Sequence, residues 1–103
     1  MSNTYNPNVT YHDLPADERL YIKEQQVELT LATFDKNPQS SDEWESIISP
    51  TVGRVAMLGD NHVRVNLNKF GPDRFWITID RISPTELKVN VVERINGIDY
   101  LVV

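Results

Sequence analysis

The chain has 103 residues, of which 40% are apolar and 24% charged. These values describe one ordinary globular domain, and they exclude a disordered chain and a two-domain enzyme cleft. There is no cysteine and the net charge is −5, which excludes disulfides and thiolate chemistry and argues against non-specific binding of nucleic acid by the whole molecule.

The sequence also carries information on the cellular location of the protein. No apolar run approaches the roughly 20 residues that cross a bilayer, so we expect no membrane partner. Residues 1–13 lack the basic and apolar regions of a secretory signal. Together with the missing cysteines, this predicts a cytoplasmic protein.

Residues 1–13 are rich in Asn, Thr and Tyr and show no apolar period. We expect a flexible or loosely docked N-terminal arm, with Tyr5, Val9 and Tyr11 able to pin it to the domain. Residues 14–103 then form a single α+β domain.

Residues 15–35 read as an amphipathic helix that begins near Pro15 and ends at Asn37-Pro38. The apolar residues at helical spacing predict which face packs on the core; they are Ala16, Leu20, Val27, Leu31 and Phe34. Residues 27–34 also alternate as a strand would, so helix and strand remain alternatives for that segment.

A second, short helix is predicted at 41–49. Ser40-Ser41-Asp42-Glu43 is a capping-box pattern, in which a hydroxyl and a carboxylate each accept from a free backbone N–H. Ser49-Pro50 ends the helix.

Five strands follow, near 52–58, 62–69, 74–82, 86–95 and 98–103. Short connectors force neighbouring strands to be antiparallel, and Asn96-Gly97 is a strong hairpin signal. The expected fold is therefore α+β, with a long helix and a short one packed on a five-stranded antiparallel meander. A meander curled into a half-barrel or small barrel is the alternative.

Alternation along the strands separates an apolar face from a polar one. The apolar face is expected to lie under the long helix and comprises Val55, Met57, Val63, Val65, Leu67, Phe75, Ile77, Ile79, Leu87, Val89, Val91, Ile98 and Tyr100. The polar face has a composition typical of binding surfaces, because tryptophan and arginine dominate protein contacts. Its candidate partner-binding residues are Arg64, Asn66, Arg74, Trp76, Lys88, Asn90 and Arg94.

The sequence leaves two alternative environments for the Trp76 side chain. It is either an exposed anchor for a partner or a side chain buried under the N-terminal arm or the second helix. The same surface could instead bind a nucleic acid. Bases would then stack on Trp76, and phosphates would bind Arg64, Arg74 and Lys88.

No catalytic, metal or cofactor motif is present. His62 and Asp60 flank a turn that needs Gly, Asp and Asn for backbone reasons, so we interpret them as turn residues rather than an acid–base pair. We expect no cofactor and no enzyme activity.

Three functions follow in order of preference. The first is a small non-enzymatic interaction module, such as an inhibitor, adaptor or regulatory accessory protein, that binds a protein partner through the polar sheet face. The second is a nucleic-acid-binding module using that face, and the third is a small-ligand binder or enzyme with a pocket between helix and sheet. The last strand, Ile98 to Val103, has no charge at its end. The chain could therefore form a homodimer by edge pairing of a terminal strand or by packing of the polar faces.

Overall fold

The computed structural model describes residues 8–48 and 52–103. Two α-helices precede five strands, and the bounds are α1 Ala16–Lys36, α2 Ser41–Ile47, β1 Val55–Gly59, β2 His62–Leu67, β3 Phe75–Ser83, β4 Glu86–Ile95 and β5 Ile98–Val102. Single 3-10 turns occupy Tyr11–Asp13 and Asn68–Phe70. The predicted α+β fold is confirmed. The residues predicted for the end of the second helix and the anchor at Tyr5 lie outside the described residues.

The helices begin and end where local chemistry dictates. Asn37 ends α1 in the left-handed conformation, at φ 44°, and its N–H donates to the carbonyl of Thr33. Ser40 caps α2, since its hydroxyl accepts from the N–H of Glu43, and the Glu43 carboxylate accepts from the N–H of Gln39. The capping box thus closes one residue earlier than in its usual form. Residues 27–34 are helical.

The sheet is an antiparallel meander in the order β1-β2-β3-β4-β5, and it does not close into a barrel. The β4–β5 hairpin turns at Asn96 and Gly97, which both have positive φ, as the two-residue turn requires. In the centre of the sheet, Val65 lies opposite Ile77, and Ile77 lies opposite Val91. These three side chains form the middle of the core.

The predicted apolar face is the inner face, the one that faces the helices. Val63, Val65, Leu67, Phe75, Ile77, Ile79 and Val91 are buried there. Met57 and Ile98 are the exceptions, because they lie on the edge strands β1 and β5 and remain exposed. Trp44 of α2 and Val52 complete the core and are fully buried.

The predicted core face of α1 is wrong. Leu20, Val27, Leu31 and Phe34 are exposed, and Ala16 is exposed as well. The helix instead buries its opposite face, which contains Glu18, Ile22, Gln25, Leu29 and Thr33.

Two of the polar side chains on this buried face have hydrogen-bond partners. The Thr33 hydroxyl donates to the Leu29 carbonyl at 2.6 Å, and Glu18 accepts from Arg74 at 2.8 Å. Ile22 and Leu29 supply the apolar contact with the sheet.

The described part of the N-terminal arm docks on β5. Val9 pairs in parallel with Val102, and the N–H groups of Val9 and Tyr11 donate to the carbonyls of Leu101 and Val103. The Tyr11 hydroxyl donates to the Arg19 carbonyl at 2.7 Å, which ties the arm to α1 as well.

Among the described residues, neither helix combines the length and the apolar character that a membrane span requires.

Candidate binding pocket on the outer sheet face

The outer face of the sheet is the face turned away from the two helices. Asn66, Trp76, Val92 and Leu101 form one row across it, from β2 to β5. Side chains on one face of neighbouring strands lie close enough to contact along and across such rows. The row therefore places the only outer tryptophan in the middle of the sheet.

Trp76 lies on the outer face, yet only 7% of it is exposed. The guanidinium of Arg64 lies 4.4 Å from the ring centroid, and that of Arg94 lies 4.5 Å from it. Such contacts combine cation–π attraction with the packing of the long aliphatic stems. Trp76 is thus covered by the arginines of its own sheet, and the hypothesis that it is an exposed anchor is wrong.

Asp99 of β5 links the two arginines. Its carboxylate accepts from Arg94 Nε at 2.8 Å and lies 3.6 Å from Arg64 Nη2. The hydrogen bond from Arg94 lowers the pKa of Asp99, and the nearby charges of Arg94 and Arg64 act in the same direction. The hydrogen bond with Asp99 raises the pKa of Arg94.

A pocket of about 380 Å³ opens beside this cluster, and we call it the outer pocket. It is lined by Arg54, Val55, Ala56, Leu58, Arg64, Asn66, Asp73, Trp76 and Arg94. The lining contains three arginines and one aspartate, and Asp99 beside it pairs with two of those arginines. Three positive and two negative charges leave a net charge of +1, which favours an anionic ligand.

Gly53 lies two residues before β1 and allows the chain to approach β2 closely. Its φ is 131°, and a Cβ there would collide with the carbonyl oxygen of Asn66. The following residue, Arg54, is fixed by its carbonyl, which accepts from the N–H of Asn66 at 2.9 Å. The close approach of these two backbone segments thus anchors the residue that brings the third guanidinium to the pocket.

Three buried polar atoms of residues that line the outer pocket lack hydrogen-bond partners among the described residues. They are Nε and Nη2 of Arg64 and Oδ1 of Asn66. The separation of 3.6 Å between Arg64 Nη2 and Asp99 gives charge attraction but exceeds a hydrogen bond. A buried donor or acceptor without a partner is costly, so a ligand that both accepts and donates would relieve two deficits.

Arg74 does not join this cluster. Its Nη1 donates to Glu18 of α1 at 2.8 Å, and its Nε donates to Glu93 of β4 at 2.9 Å. Burial alone would lower the pKa of Arg74, but the hydrogen bonds to Glu93 and Glu18 outweigh burial and raise it. Arg74 precedes β3, so strand alternation does not govern its direction.

Lys88 and Asn90 lie on the outer face of β4 but outside the outer pocket. Asn90 is opposite Thr78, one row away from Trp76, and Lys88 is opposite Asp80, two rows away. Of the seven predicted residues, the structure therefore brings together Arg64, Asn66, Trp76 and Arg94.

Sequence reasoning missed Arg54, Asp73 and Asp99. Arg54 carried a usable signal, because it stands two residues before Ala56, which lies opposite Arg64 on the outer face. Asp99 could have been found from the tight Asn96-Gly97 hairpin, which fixes the pairing of Arg94 with Asp99. Asp73 lies in a turn, where no period applies.

The other candidate residues carry no assembled chemistry. His62 begins β2 and lies opposite Gly59 and Asp80, while Asp60 is an exposed turn residue. Across residues 8–48 and 52–103, no group of three or more His, Asp or Glu side chains is arranged to hold a metal ion.

No family model, curated protein or solved structure matches this chain. The function therefore has to be argued from the geometry of the molecule itself.

Proposed function

We propose that this chain is a non-enzymatic interaction module that binds an acidic segment of a partner protein in the outer pocket. The observation that carries the proposal is the convergence of Arg54, Arg64 and Arg94 on one concave site with unpartnered hydrogen-bonding atoms. Arginine is the residue best suited to such contacts, because its planar fork matches a carboxylate.

The polar atoms favour a peptide over a simple anion. Nε and Nη2 of Arg64 and Oδ1 of Asn66 are buried, so a peptide would reach them by displacing the groups that cover them. A carboxylate could then accept hydrogen bonds from Arg64, and a peptide N–H could donate to Asn66. An inorganic anion at neutral pH satisfies the first need and does little for the second. A polypeptide carries both groups within a few ångströms.

The apolar part of the outer pocket fits the same ligand. Val55, Ala56 and Leu58 line it on the β1 side, and Leu58 is exposed. An acidic segment with interspersed apolar side chains can place a carboxylate on the arginines and an apolar group against β1. Aromatic and arginine groups at the centre with an apolar surround are typical of protein interfaces.

A nucleic acid fits less well. Sequence-tolerant binding of single strands depends on bases stacking on open aromatic rings, and the ring of Trp76 is covered by Arg64 and Arg94. The lack of cysteine is consistent with work in a reducing compartment, and we place the interaction in the cytoplasm.

Titration calorimetry with a synthetic decapeptide of alternating Glu and Leu tests the proposal. Arg64→Gln and Arg94→Gln should each weaken binding about ten-fold, the equivalent of one charge-assisted hydrogen bond. Lys88→Gln is the matched control, since it removes an outer-face cation outside the outer pocket, and it should change the affinity by less than about two-fold.

Two results would overturn the proposal. One is equal affinity for the peptide in the wild type, Arg64→Gln and Arg94→Gln. The other is tighter binding of a single-stranded decanucleotide than of the peptide, with a steep loss of binding as salt rises, which would assign the outer pocket to nucleic acid.

A further inference from the structure

α1 has a second apolar face that the domain leaves uncovered. Leu20, Val27, Leu31 and Phe34 are between 44% and 69% exposed. At about 100° per residue they point some 180° away from the buried residues Ile22 and Leu29. We call Leu20, Glu24, Val27, Leu31 and Phe34 the outer stripe. α1 is therefore apolar on two opposite sides.

The outer stripe has the spacing of a helix–helix seam. Its five members are separated by four, three, four and three residues, which is the alternation of the two core positions of a heptad repeat. Four of the five positions are large and apolar, and Glu24 is the exception. Such a seam is complementary to another helix of the same spacing.

We propose that the outer stripe packs against the outer stripe of a second copy of this chain, with the two α1 helices parallel. The proposal does not depend on the outer pocket, which lies on the far side of the sheet. A parallel pair related by a two-fold axis buries the same patch on both copies.

Charge along the edges of the outer stripe selects this partner and this orientation. Lys23 flanks one edge, while Glu28 and Asp35 flank the other. Parallel helices bring unlike edges together, so Lys23 of each copy meets Glu28 of the second copy, five residues further on. An antiparallel pair would instead bring the acidic edges together.

The Lys23 edge has room for the approaching carboxylate. A groove of about 260 Å³ runs there between α1 and β4, lined by Lys23, Gln26, Val27, Thr30, Leu31 and Val89. Among the described residues, neither Lys23 nor Glu28 forms an ion pair within its own chain. Both charges therefore remain available to a second copy.

Glu24 limits the strength of the pair. In a parallel pair, Glu24 lies beside Glu24 of the second copy. One polar residue at such a position fixes the register of the two helices at a cost in stability. Glu24→Leu should therefore tighten the dimer, by about ten-fold or more.

Sedimentation velocity of the full chain over a range of concentrations tests the dimer. We expect a reversible monomer–dimer equilibrium that Val27→Glu together with Leu31→Glu abolishes. Ile82→Glu is the matched control, because Ile82 is also exposed and apolar but lies on β3, and it should leave the equilibrium unchanged. A wild-type chain that stays monomeric at millimolar concentration would overturn the proposal.

Charge exchange and cross-linking test the orientation. Lys23→Glu should weaken the dimer about ten-fold, and adding Glu28→Lys should restore it. Because the chain has no cysteine, Val27→Cys provides a single thiol that should form an intermolecular disulfide under mild oxidation, while Ile82→Cys should not. A double charge variant as weak as Lys23→Glu alone, or equal cross-linking by both cysteines, would contradict the parallel pair.

Discussion

Phe75 and Trp76 are neighbours on β3 that point to opposite faces of the sheet, and each lies under an arginine. On the inner face, the arginine over Phe75 is Arg74, and both of its ion-pair partners, Glu18 and Glu93, are buried. On the outer face, Arg64 over Trp76 keeps two buried donor atoms without a hydrogen-bond partner among the described residues.

The difference separates an arginine with hydrogen-bond partners inside the domain from one with buried donors that lack them. Cation–π contact with an aromatic ring is common to both and does not discriminate. The hydrogen bonding of the guanidinium does discriminate between them, because donors that already have partners inside the domain are not available to a ligand. By this measure Arg74 holds α1 on the sheet, whereas Arg64 fits the ligand-contacting role that we propose for the outer pocket.

The largest expected loss of stability comes from truncating the two aromatic residues Phe75 and Trp76. Phe75→Ala should lower the free energy of unfolding by about 3–5 kcal/mol, because Phe75 is fully buried among rigid core side chains. Trp76→Ala should cost less, about 2–3 kcal/mol, since the flexible stems of Arg64 and Arg94 can close over the vacated space. Urea denaturation at pH 7 measures both. If Trp76→Ala costs as much as Phe75→Ala, the outer face is packed as rigidly as the core.

The arginines give the next largest effect. Arg74→Met should lower the free energy of unfolding by about 2–3 kcal/mol, because it leaves the buried carboxylates of Glu18 and Glu93 unpaired. Arg64→Met should cost less than about 1 kcal/mol, since its one ion pair is long and its partner Asp99 is partly exposed.

Glu18→Gln added to Arg74→Met is the control for the inner-face pair. It removes one of the two carboxylate charges that Arg74→Met leaves unpaired, and it should recover part of the lost stability. Equal losses for Arg74→Met and Arg64→Met would erase the distinction between the two faces.

The smallest effect concerns acid stability. The pKa of Asp99 is lowered in the folded chain, so its stabilising contribution is complete above the ordinary value of 3.8 and is lost as the pH falls through the lowered value. Asp99→Asn lacks this contribution at every pH. Unfolding midpoints measured in urea between about pH 2 and 6 should therefore fall less steeply with acid in the variant.

Asp99→Asn has a second readout in peptide binding. The wild-type carboxylate occupies Arg94 and attracts Arg64, so it competes with an incoming anion. The variant should bind the Glu-Leu decapeptide more tightly at pH 7. Parallel acid profiles together with unchanged peptide affinity would show that Asp99 has no influence on the outer pocket.

Local patterns predicted most of the fold. Alternation gave the strands and assigned Phe75 to the inner face and Trp76 to the outer one, and Asn96-Gly97 marked the last hairpin. These features depend on neighbours within a few residues, and their physical causes are visible in one segment of sequence.

The features that were not predicted depend on distant residues. Counting apolar side chains favoured the Leu20 to Phe34 face of α1, but the inward face is decided partly by the ion pair of Glu18 with Arg74, 56 positions away. The cover over Trp76 comes from Arg64 and Arg94, on the strands at either side. The spacing of apolar residues identifies an amphipathic helix face, but it does not show which of two such faces packs on the core.

The parallel pairing of Val9 with the last strand also protects the molecule. An unpaired edge of β5 would present the carbonyls of Leu101 and Val103 beside apolar side chains, and open edges of this kind template fibril growth. Val9 and Tyr11 occupy those carbonyls with their own N–H groups. Removal of the first dozen residues is therefore expected to open this edge and to increase aggregation of the domain.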